Sequence, residues 1–380
     1  MGQSSFTVAG LFAGIGGLEL GLHQAGHKTA MLCEIDEHAS TVLKNRFPGV
    51  PLRRDVREVV SLPKVDVVTA GFPCQDLSQA GRTAGIRGKR SGLVGEVFRL
   101  VTKAKPKWLL LENVPFMLSL DKGAAMKFLV DEIEELGYRW AYRVVDSRSF
   151  GLPQRRRRVL FLASQTEDPA SVLFSDEAGE PEQVERKEIA HGFYWTEGST
   201  GLGWAIDAVP TLKSGSTLGI PSPPAIWMPD GRIVTPEIRD AERLQGFEEN
   251  WTENWAETPS KRAGPRWKMV GNAVSVPVAQ WVGARLAKGG TSVEPGPSIA
   301  SIGRWPKAAM GEKGYRFGVD RSEWPKQVKR PPLASFLRHT GQPLSAKATA
   351  GFLSRAKASS LRFQPGFLAA VEAHLTQLSR

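Results

Sequence analysis

The first 165 residues alternate between strand-like and helix-like segments, and this alternation limits the possible folds more than any other feature. SFTVAGLFAG (5–14), KVDVVTAG (64–71) and KWLLLENV (107–114) are apolar runs typical of strands. GGLELGLHQAG (16–26) has helical spacing. Strands that alternate with helices form βαβ units and a doubly wound, mostly parallel sheet. Ligands of such sheets bind at the carboxyl ends of the strands, where we expect the active site of this α/β protein.

The alternation stops after Ser164, and the chain divides into four predicted segments. Residues 1–165 are expected to form the α/β domain that carries the active site. Residues 166–235 are rich in Gly, Pro, Ser, Thr and Trp, which predicts a small loop-rich domain with short strands. Residues 236–290 regain helical spacing and are predicted to complete the catalytic domain. Residues 291–380 form a basic, partly helical C-terminal extension.

The positive charge of the chain is concentrated in that extension. The formal net charge is +11, and residues 291–380 hold 14 Lys and Arg against 5 Asp and Glu, which is nine of the eleven net charges. An excess of this size favours a polyanionic partner, with nucleic acid first and an anionic membrane surface second. A basic surface can also serve solubility alone.

Cysteine count and hydropathy exclude several classes of protein. Two cysteines in 380 residues cannot form a disulfide scaffold, and Cys and His do not recur at metal-site spacing. No apolar run reaches the roughly 20 residues of a membrane-spanning helix. The sequence predicts a cytoplasmic protein that holds no metal.

A glycine cluster, FAGIGG (12–17), follows the first predicted strand and opens the first predicted helix. Glycines here let a nucleotide-like ligand approach the backbone and the helix N-terminus, although the full GxGxxG spacing is absent. The second predicted strand ends at Glu34, where a carboxylate can bind ribose hydroxyls. Asp55 is another acidic candidate. For both acids the alternative is a helix cap.

Cys74 lies in GFPCQDLS (71–78), on a turn after a predicted strand. A thiolate is a competent nucleophile, and a strand end near helix N-termini and basic groups favours that form. An isolated cysteine is more often a small buried apolar residue, and Cys33 fits that description. Cys74 does not, because its neighbours are polar or form turns. The next predicted strand ends at Glu112, where an acid can act as a proton donor.

Four arginines stand before or inside a later strand, in PQRRRRVLFL (153–162). A run of like charges usually faces solvent. Alternation along a strand would instead place Arg156 and Arg158 on one side, where both can point inward.

The motifs FAGIGG, GFPCQDLS, LLENV, QRRRR and VGNAVSVPVA resemble, in this order, those of the DNA cytosine-5 methyltransferase family. The resemblance covers about residues 6–165 and 232–287. It implies a Rossmann-like S-adenosylmethionine-dependent methyltransferase of the bacterial restriction–modification type. Such an enzyme moves a methyl group from S-adenosylmethionine to C5 of a cytosine flipped out of a short duplex DNA site, leaving S-adenosylhomocysteine.

The resemblance also implies a cofactor site. Phe12 would pack on the adenine, Glu34 would bind the ribose hydroxyls, and Asp55 would bind the adenine amino group. The implied cofactor-binding residues are Phe12, Gly14, Gly16, Glu34, Ile35, Asp55, Pro73, Leu93, Asn272 and Val274.

Four residues are implied in the reaction itself. Cys74 would attack C6 of the cytosine, and Glu112 would hydrogen-bond its N3 and amino edge. Arg158, together with Arg156, would contact the base or hold the closed site. The attack makes C5 electron-rich, so that C5 takes the methyl group. Loss of the C5 proton then releases Cys74.

Residues 166–235 would be the target recognition region, whose side chains read base edges in the major groove. Thr211 and Leu212 resemble a Thr-Leu pair that recurs there in the family. The glycine-rich segment after Cys74 would close over the flipped nucleotide. The implied DNA-binding residues are Gln75, Ser78, Arg82, Arg87, Thr211, Leu212, Lys213 and Ser214. The basic extension would add phosphate contacts or cap the catalytic domain.

The chain departs from the family pattern at two informative positions. The usual QRRER is QRRRR here, so Arg157 replaces an acid and one local ion pair is in doubt. Ile35 replaces a frequent aromatic residue, so its contact with the adenine should be weaker.

Three other functions stay open at this point. A tRNA cytosine-5 methyltransferase would use the same chemistry, and a noncatalytic DNA-binding paralogue would share the fold. A dinucleotide oxidoreductase would share only FAGIGG. The joint presence of Cys74, Glu112 and Arg158 disfavours the last two. The expected protein is a cytoplasmic, nucleoid-associated monomer. It is expected to act on double-stranded DNA, not to bind a membrane, and to be functionally linked to a restriction endonuclease.

Overall fold

The computed structural model describes residues 4–73, 92–182, 189–215, 222–253, 264–291, 293–299 and 305–379. The chain packs into two compact units. Unit 1 comprises Met1–Ser149, Arg157–Glu180 and Val274–Gln327, and unit 2 comprises Phe150–Arg156, Pro181–Ala273 and Val328–Arg380.

The strands of the described chain are β1 (Thr7–Leu11), β2 (Lys28–Cys33), β3 (Leu52–Arg53), β4 (Val67–Ala70), β5 (Trp108–Asn113), β6 (Arg139–Asp146), β7 (Gln154–Arg155), β8 (Arg157–Ser164), β9 (His191–Phe193), β10 (Trp204–Ile206), β11 (Val209–Pro210), β12 (Ala225–Trp227), β13 (Ile233–Thr235), β14 (Ala308–Glu312), β15 (Tyr315–Gly318) and β16 (Gln342–Pro343).

The α-helices are α1 (Gly17–Gln24), α2 (Glu37–Arg46), α3 (Leu93–Ala104), α4 (Ala124–Glu135), α5 (Pro169–Leu173), α6 (Ile238–Leu244), α7 (Gly264–Asn272), α8 (Val276–Lys288), α9 (Leu333–Phe336), α10 (Ala346–Ala358) and α11 (Phe367–Leu378). Short 3₁₀ turns lie at Val56–Glu58, Pro115–Leu118, Leu120–Gly123 and Ser147–Phe150.

In the part of the chain that the structure describes, unit 1 is built on a nine-stranded sheet in the order β15-β14-β6-β8-β5-β4-β1-β2-β3. The strands from β3 to β5 pair in parallel, which confirms the predicted α/β, Rossmann-like fold. From β5 to β15 the pairing is antiparallel, so the sheet is mixed. At its far edge, β14 and β15 are joined by Lys313 and Gly314, both with positive φ, and a two-residue turn of this kind can join only antiparallel strands.

Helices α1 and α8 fix the late part of the chain against the first βα unit. A Cβ at Gly21 of α1 would lie 2.5 Å from the Ala279 Cβ, and one at Gly283 of α8 would lie 2.7 Å from the Ala25 Cβ. Only glycine permits this approach of the two backbones. The contact explains why the segment from Val274 onward belongs to unit 1.

Unit 2 contains a five-stranded sheet in the order β10-β9-β12-β13-β16, whose described pairings are antiparallel. One of its faces contributes Ile226 and Val234 to a core shared with α6 and α7. The other face carries Phe193, which packs with Phe352 of α10 and Phe367 of α11. Successive side chains of a strand point to opposite faces, and both faces of this small sheet pack into an apolar core. The sheet is therefore buried on both sides.

The structure divides the C-terminal extension between the two units. Residues 305–327 add β14 and β15 to the edge of the large sheet, because β14 pairs with β6. Residues 328–379 belong to unit 2, where β16 pairs with β13. Residues 236–273, expected to complete the catalytic domain, also pack in unit 2. The compact units therefore have other boundaries than the four predicted segments.

In the part of the chain that the structure describes, no helix is long and apolar enough to cross a membrane.

Candidate active site

The loop between β1 and α1 is held in shape by Glu34. Phe12, Gly14 and Gly16 all have positive φ, a conformation that strains Phe12 and suits the two glycines. Glu34 follows the end of β2, and its Oε2 accepts the Gly14 N–H at 2.8 Å. Its Oε1 accepts the Asp36 N–H, also at 2.8 Å. One carboxylate thus joins the ends of two neighbouring parallel strands.

The other predicted adenine contacts lie beside Glu34. Ile35 is 59% exposed, and its carbonyl accepts a hydrogen bond from the Arg54 guanidinium at 2.6 Å. Asp55 begins a 3₁₀ turn and accepts the Arg57 N–H at 2.9 Å. The Arg57 side chain also donates to Asp55 and holds the pKa of that carboxyl below its ordinary value. The helix-cap interpretation of Asp55 therefore has direct support, while its second role stays a prediction.

At the next strands, Glu112 and Arg158 form a nearly buried ion pair. Glu112 lies near the end of β5, opposite Leu160 of β8, and Arg158 is two residues from Leu160 on the same face. The Arg158 Nε is 2.8 Å from the Glu112 Oε1. Burial lowers the pKa of Arg158, and the neighbouring carboxylate opposes that effect. The two strands thus bring together two of the four predicted catalytic residues.

Asn113 is a site residue that the sequence analysis did not single out, although it lies within the LLENV motif. Its Nδ2 donates to the carbonyl of Phe72 at 3.1 Å, and its Oδ1 accepts the Val114 N–H at 2.8 Å. Because Phe72 follows β4 and precedes Cys74 by two residues, the buried amide fixes the strand end that leads to the cysteine. Cys74 itself lies outside the described residues.

Cys33 has the environment of an inert thiol. It ends β2 and is buried. Burial, with smaller contributions from Glu34 and Asp55, raises the pKa of the thiol to about 12. At neutral pH the thiolate that a nucleophile needs is therefore essentially absent at Cys33.

Arg156 and Arg158 do not share a strand face, contrary to the expectation from alternation. The strand is interrupted at Arg156: β7 ends at Arg155, β8 begins at Arg157, and Arg156 belongs to unit 2. Arg156 is 1% exposed, and its guanidinium donates to the carbonyls of Leu212 and Ala273 at 3.1 and 2.6 Å. These contacts give it a structural task within unit 2.

The predicted Thr-Leu pair is bound by the same arginine-rich segment. The Thr211 hydroxyl donates to the carbonyl of Arg155, and the Leu212 N–H donates to the Gln154 Oε1. Leu212 is 1% exposed and packs in the unit 2 core, which leaves it no surface for DNA in this conformation.

Among the other predicted DNA contacts, Lys213 and Ser214 are exposed. Lys213 pairs with Glu197 and lies 3.9 Å above the Tyr194 ring. A Cβ at Gly271 would lie 2.4 Å from the Ser214 N. The glycine of VGNAV is therefore needed to leave room for the main chain at Lys213 and Ser214. Gln75, Ser78, Arg82 and Arg87 lie outside the described residues.

The remaining predicted cofactor contacts are spread over both units. Pro73 is exposed beyond β4, and Leu93 is the first residue of α3. Asn272 ends α7 in unit 2 and is exposed, whereas Val274 precedes α8 in unit 1.

Comparison with known proteins decides the family. The family model for C-5 cytosine-specific DNA methylases matches residues 6–201. The chain belongs to this family. The methylase therefore transfers a methyl group to C5 of cytosine in DNA, and the family implies S-adenosylmethionine as the methyl donor.

Two relatives match this methylase over most of their length. Type II methyltransferase M2.BsuMI of Bacillus subtilis (strain 168) is 48% identical over 379 residues, which cover 96% of this chain and 97% of the relative. Type II methyltransferase M1.ScrFI of Lactococcus lactis subsp. cremoris is 30% identical over 323 residues, covering 74% and 78%.

Two solved structures share the fold of the methylase. The Dnmt2 methyltransferase of S. pombe has a TM-score of 0.53 at 16% identity and covers 74% of this chain and 98% of that chain. The methyltransferase EhMeth of Entamoeba histolytica has a TM-score of 0.51 at 16% identity and covers 73% and 97%.

The loop after β1 fits S-adenosylmethionine. Apart from Gly14 and its two chain neighbours, no described residue has an atom within 4 Å of where a Cβ at Gly14 would be, so this backbone borders open space. The exposed Ile35 offers an apolar surface beside it, and Glu34 offers carboxylate oxygens. An open backbone, an apolar side chain and an acid at one sheet edge are what a nucleoside needs.

Proposed function

We propose that this methylase uses Cys74 as its nucleophile and Glu112, held by Arg158, as the group that binds the cytosine edge. The observation that carries this assignment is the ion pair at the end of β5, where Glu112 Oε1 and Arg158 Nε are 2.8 Å apart. The bond from Asn113 to the Phe72 carbonyl supports it, because it ties that strand end to the residues before Cys74.

The chemistry follows from the functional groups. The Cys74 thiolate adds to C6 of the flipped cytosine and breaks the C5–C6 double bond, so that C5 becomes electron-rich. Glu112 accepts a hydrogen bond from the amino group, and a proton held between its other carboxyl oxygen and N3 stabilises the negative charge that develops on the ring. C5 then gains the methyl group, a base removes the C5 proton, and the double bond re-forms as the thiolate leaves.

S-adenosylmethionine supplies the methyl group as an electrophilic sulfonium. Phe12, Gly14 and Gly16 would line its nucleoside end, Glu34 would bind the ribose hydroxyls, and the exposed Ile35 would contact the adenine. Asp55, Pro73, Leu93, Asn272 and Val274 complete the proposed set.

Recognition of a short duplex site is assigned to the region between QRRRR and VGNAV. Lys213 and Ser214 are exposed there and can reach base edges or phosphates. Because the relatives over most of the chain are Type II methyltransferases, we assign the protein to a restriction–modification system. It would act in the cytoplasm as a monomer, beside a functionally linked endonuclease.

The test is methyl transfer from labelled S-adenosylmethionine to unmethylated duplex DNA of mixed sequence, with tRNA as a second substrate. Cys74→Ser should abolish transfer, whereas the matched variant Cys33→Ser should retain it. Transfer to tRNA and none to DNA would contradict the proposal. Sequencing of the methylated cytosines then gives the recognition site.

A further inference from the structure

Position 157, where the chain departs from the family pattern, finds its charge partner in the C-terminal extension. Arg157 begins β8, and its side chain points to the face opposite that of Arg158. Its Nη2 pairs with the carboxylate of Glu323. Lys307, which precedes β14, lies 2.9 Å from the same carboxylate through its Nζ. Glu323 is thus the common acid of a three-residue network in unit 1.

The segment that carries Glu323 is fixed on both sides. The Asp146 N–H of β6 donates to the carbonyl of Glu323 at 3.0 Å. The neighbouring Ser322 carbonyl accepts a hydrogen bond from the buried Arg143 at 2.9 Å, and Trp324 lies under the Arg148 guanidinium at 5.2 Å. Because its main chain is anchored in this way, Glu323 presents its carboxylate at a defined place.

Arg157 is directly linked to the catalytic pair through its main chain. The Arg158 Nη1 donates to the carbonyl oxygen of Arg157 at 2.7 Å, while the Nε faces Glu112 at 2.8 Å. The guanidinium is therefore oriented from two sides, by the Glu112 carboxylate and by the Arg157 peptide. Arg157 stands at the start of β8, where its peptide faces Asp146 of β6 on one side only, because the pairing of β8 with β5 begins at Val159.

We propose that Glu323 is a positioning residue for methyl transfer. It holds Arg157, so that the Arg157 carbonyl keeps Arg158 aligned against Glu112. The inference rests on the proposed function, in which Glu112 and Arg158 act on the cytosine. It gives the C-terminal extension a task in catalysis, in addition to its contribution to the sheet edge.

The test compares Glu323→Gln with Glu312→Gln in steady-state methyl transfer to mixed-sequence duplex DNA. Glu312, the last residue of β14, serves as the matched control. Its Oε2 lies 3.5 Å from the Nε of Arg139, which begins β6 at the end far from Asp146. Glu323→Gln should lower kcat about threefold to tenfold with little change in either KM, because misalignment acts after binding. The control should keep the wild-type kcat.

Two further measurements separate positioning from simple stabilisation. The charge swap Glu323→Arg with Arg157→Glu, made together with Lys307→Gln so that no cation faces the new arginine, should recover most of the lost kcat, because it restores the pair with reversed charges. In ¹⁵N-arginine-labelled protein without S-adenosylmethionine or DNA, the Arg158 Nε–H resonance should shift in Glu323→Gln and stay in place in Glu312→Gln. If Glu323→Gln proves unstable, Arg157→Gln breaks the same pair and should show the same loss of kcat.

A wild-type kcat in Glu323→Gln or Arg157→Gln, an unmoved Arg158 resonance, or a loss that the swap does not repair would overturn the inference. Glu112→Gln distinguishes it from the proposed function. If Glu112→Gln abolishes transfer while Glu323→Gln leaves it intact, only the inference fails. If Glu112→Gln itself transfers methyl groups at the wild-type rate, the proposed function fails.

Discussion

The carboxylate of Glu112 and the guanidinium of Arg158 meet at 2.8 Å across two antiparallel strands, where both side chains are almost entirely withdrawn from solvent. A pair of this kind costs much to break from one side, because the remaining charge stays buried without its partner.

We expect Arg158→Leu to reduce methyl transfer by about 10²–10³-fold and to lower the free energy of unfolding by about 3–5 kcal/mol. The first effect follows from the loss of Glu112 alignment, the second from the unpaired carboxylate. Urea unfolding and single-turnover methyl transfer measure the two separately. The paired variant Arg158→Leu with Glu112→Gln should recover stability without recovering activity, and recovery of both would contradict the catalytic role.

Glu34→Ala should weaken binding of S-adenosylmethionine by roughly 10–100-fold, because the Gly14 N–H loses a charged acceptor and the proposed contact with the ribose hydroxyls is lost as well. Isothermal titration calorimetry measures the Kd directly. Glu37→Ala is the matched control, since Glu37 is an exposed acid three residues further along. Equal Kd values for the two variants would contradict any role of Glu34 in binding S-adenosylmethionine.

Glu19 should make stability depend on pH. It is buried in α1, its Oε1 accepts the Thr69 hydroxyl, and burial raises its pKa to about 7. A raised pKa means that the native state holds the proton more tightly than the unfolded chain. The stability from this group is therefore complete below about pH 4.5 and is lost as the pH rises to about 7, by roughly 3 kcal/mol.

Glu19→Gln should remove this dependence and be more stable than the wild type at about pH 8. Free energies of unfolding at about pH 5 and pH 8 provide the measurement, with the exposed Glu37→Gln as control. A wild-type slope in Glu19→Gln would rule Glu19 out as its source.

Phe367→Ala should destabilise unit 2 by about 3–5 kcal/mol, since this ring packs on Phe193, Trp204 and Trp227. Urea unfolding followed by tryptophan fluorescence measures the change, since Trp204 and Trp227 are among the eleven tryptophans that contribute to the signal. Leu378→Ala, at the exposed end of the same helix, should leave the transition within about 0.5 kcal/mol. Similar values for both variants would mean that α11 does not stabilise the sheet.

Cys33 should resist alkylation in the folded protein, because burial raises the pKa of its thiol to about 12. Treatment with iodoacetamide at about pH 8, followed by mass spectrometry, should leave Cys33 unmodified until denaturant is added. Modification of Cys33 in the native protein would contradict the burial described here.

Local patterns predicted the parallel half of the sheet well, because β1, β2, β4 and β5 each contain a run of buried, mostly apolar residues and are followed by a turn signal. The same segments placed Glu34 and Glu112 at strand ends, which the structure confirms. The hairpin of β14 and β15 escaped the sequence analysis, because AAMGEKGYRFG (308–318) lies in a basic extension without a helical partner.

Long-range contacts account for the other differences. The break between β7 and β8 arises because β7 pairs with β11, and nothing in a run of arginines predicts that pairing. Asn113 acts through a carbonyl 41 positions earlier in the chain. Burial of Leu212 depends on a core made from segments far apart in sequence. The sequence around Leu212 alone therefore does not distinguish an exposed leucine that contacts DNA from a buried one.

One face of the small sheet of unit 2 is covered by α10 and α11, which follow its first strand by more than a hundred residues. This separation limits how the proposed recognition region can be exchanged between relatives. A chimera that takes only residues 189–253 from another methylase would set a foreign sheet face against Phe352 and Phe367. The packing between that sheet face and the two helices would then contain steric clashes or cavities. A transplant of the proposed recognition region therefore has to carry residues 342–378 with it, and the two segments are expected to diverge together among relatives.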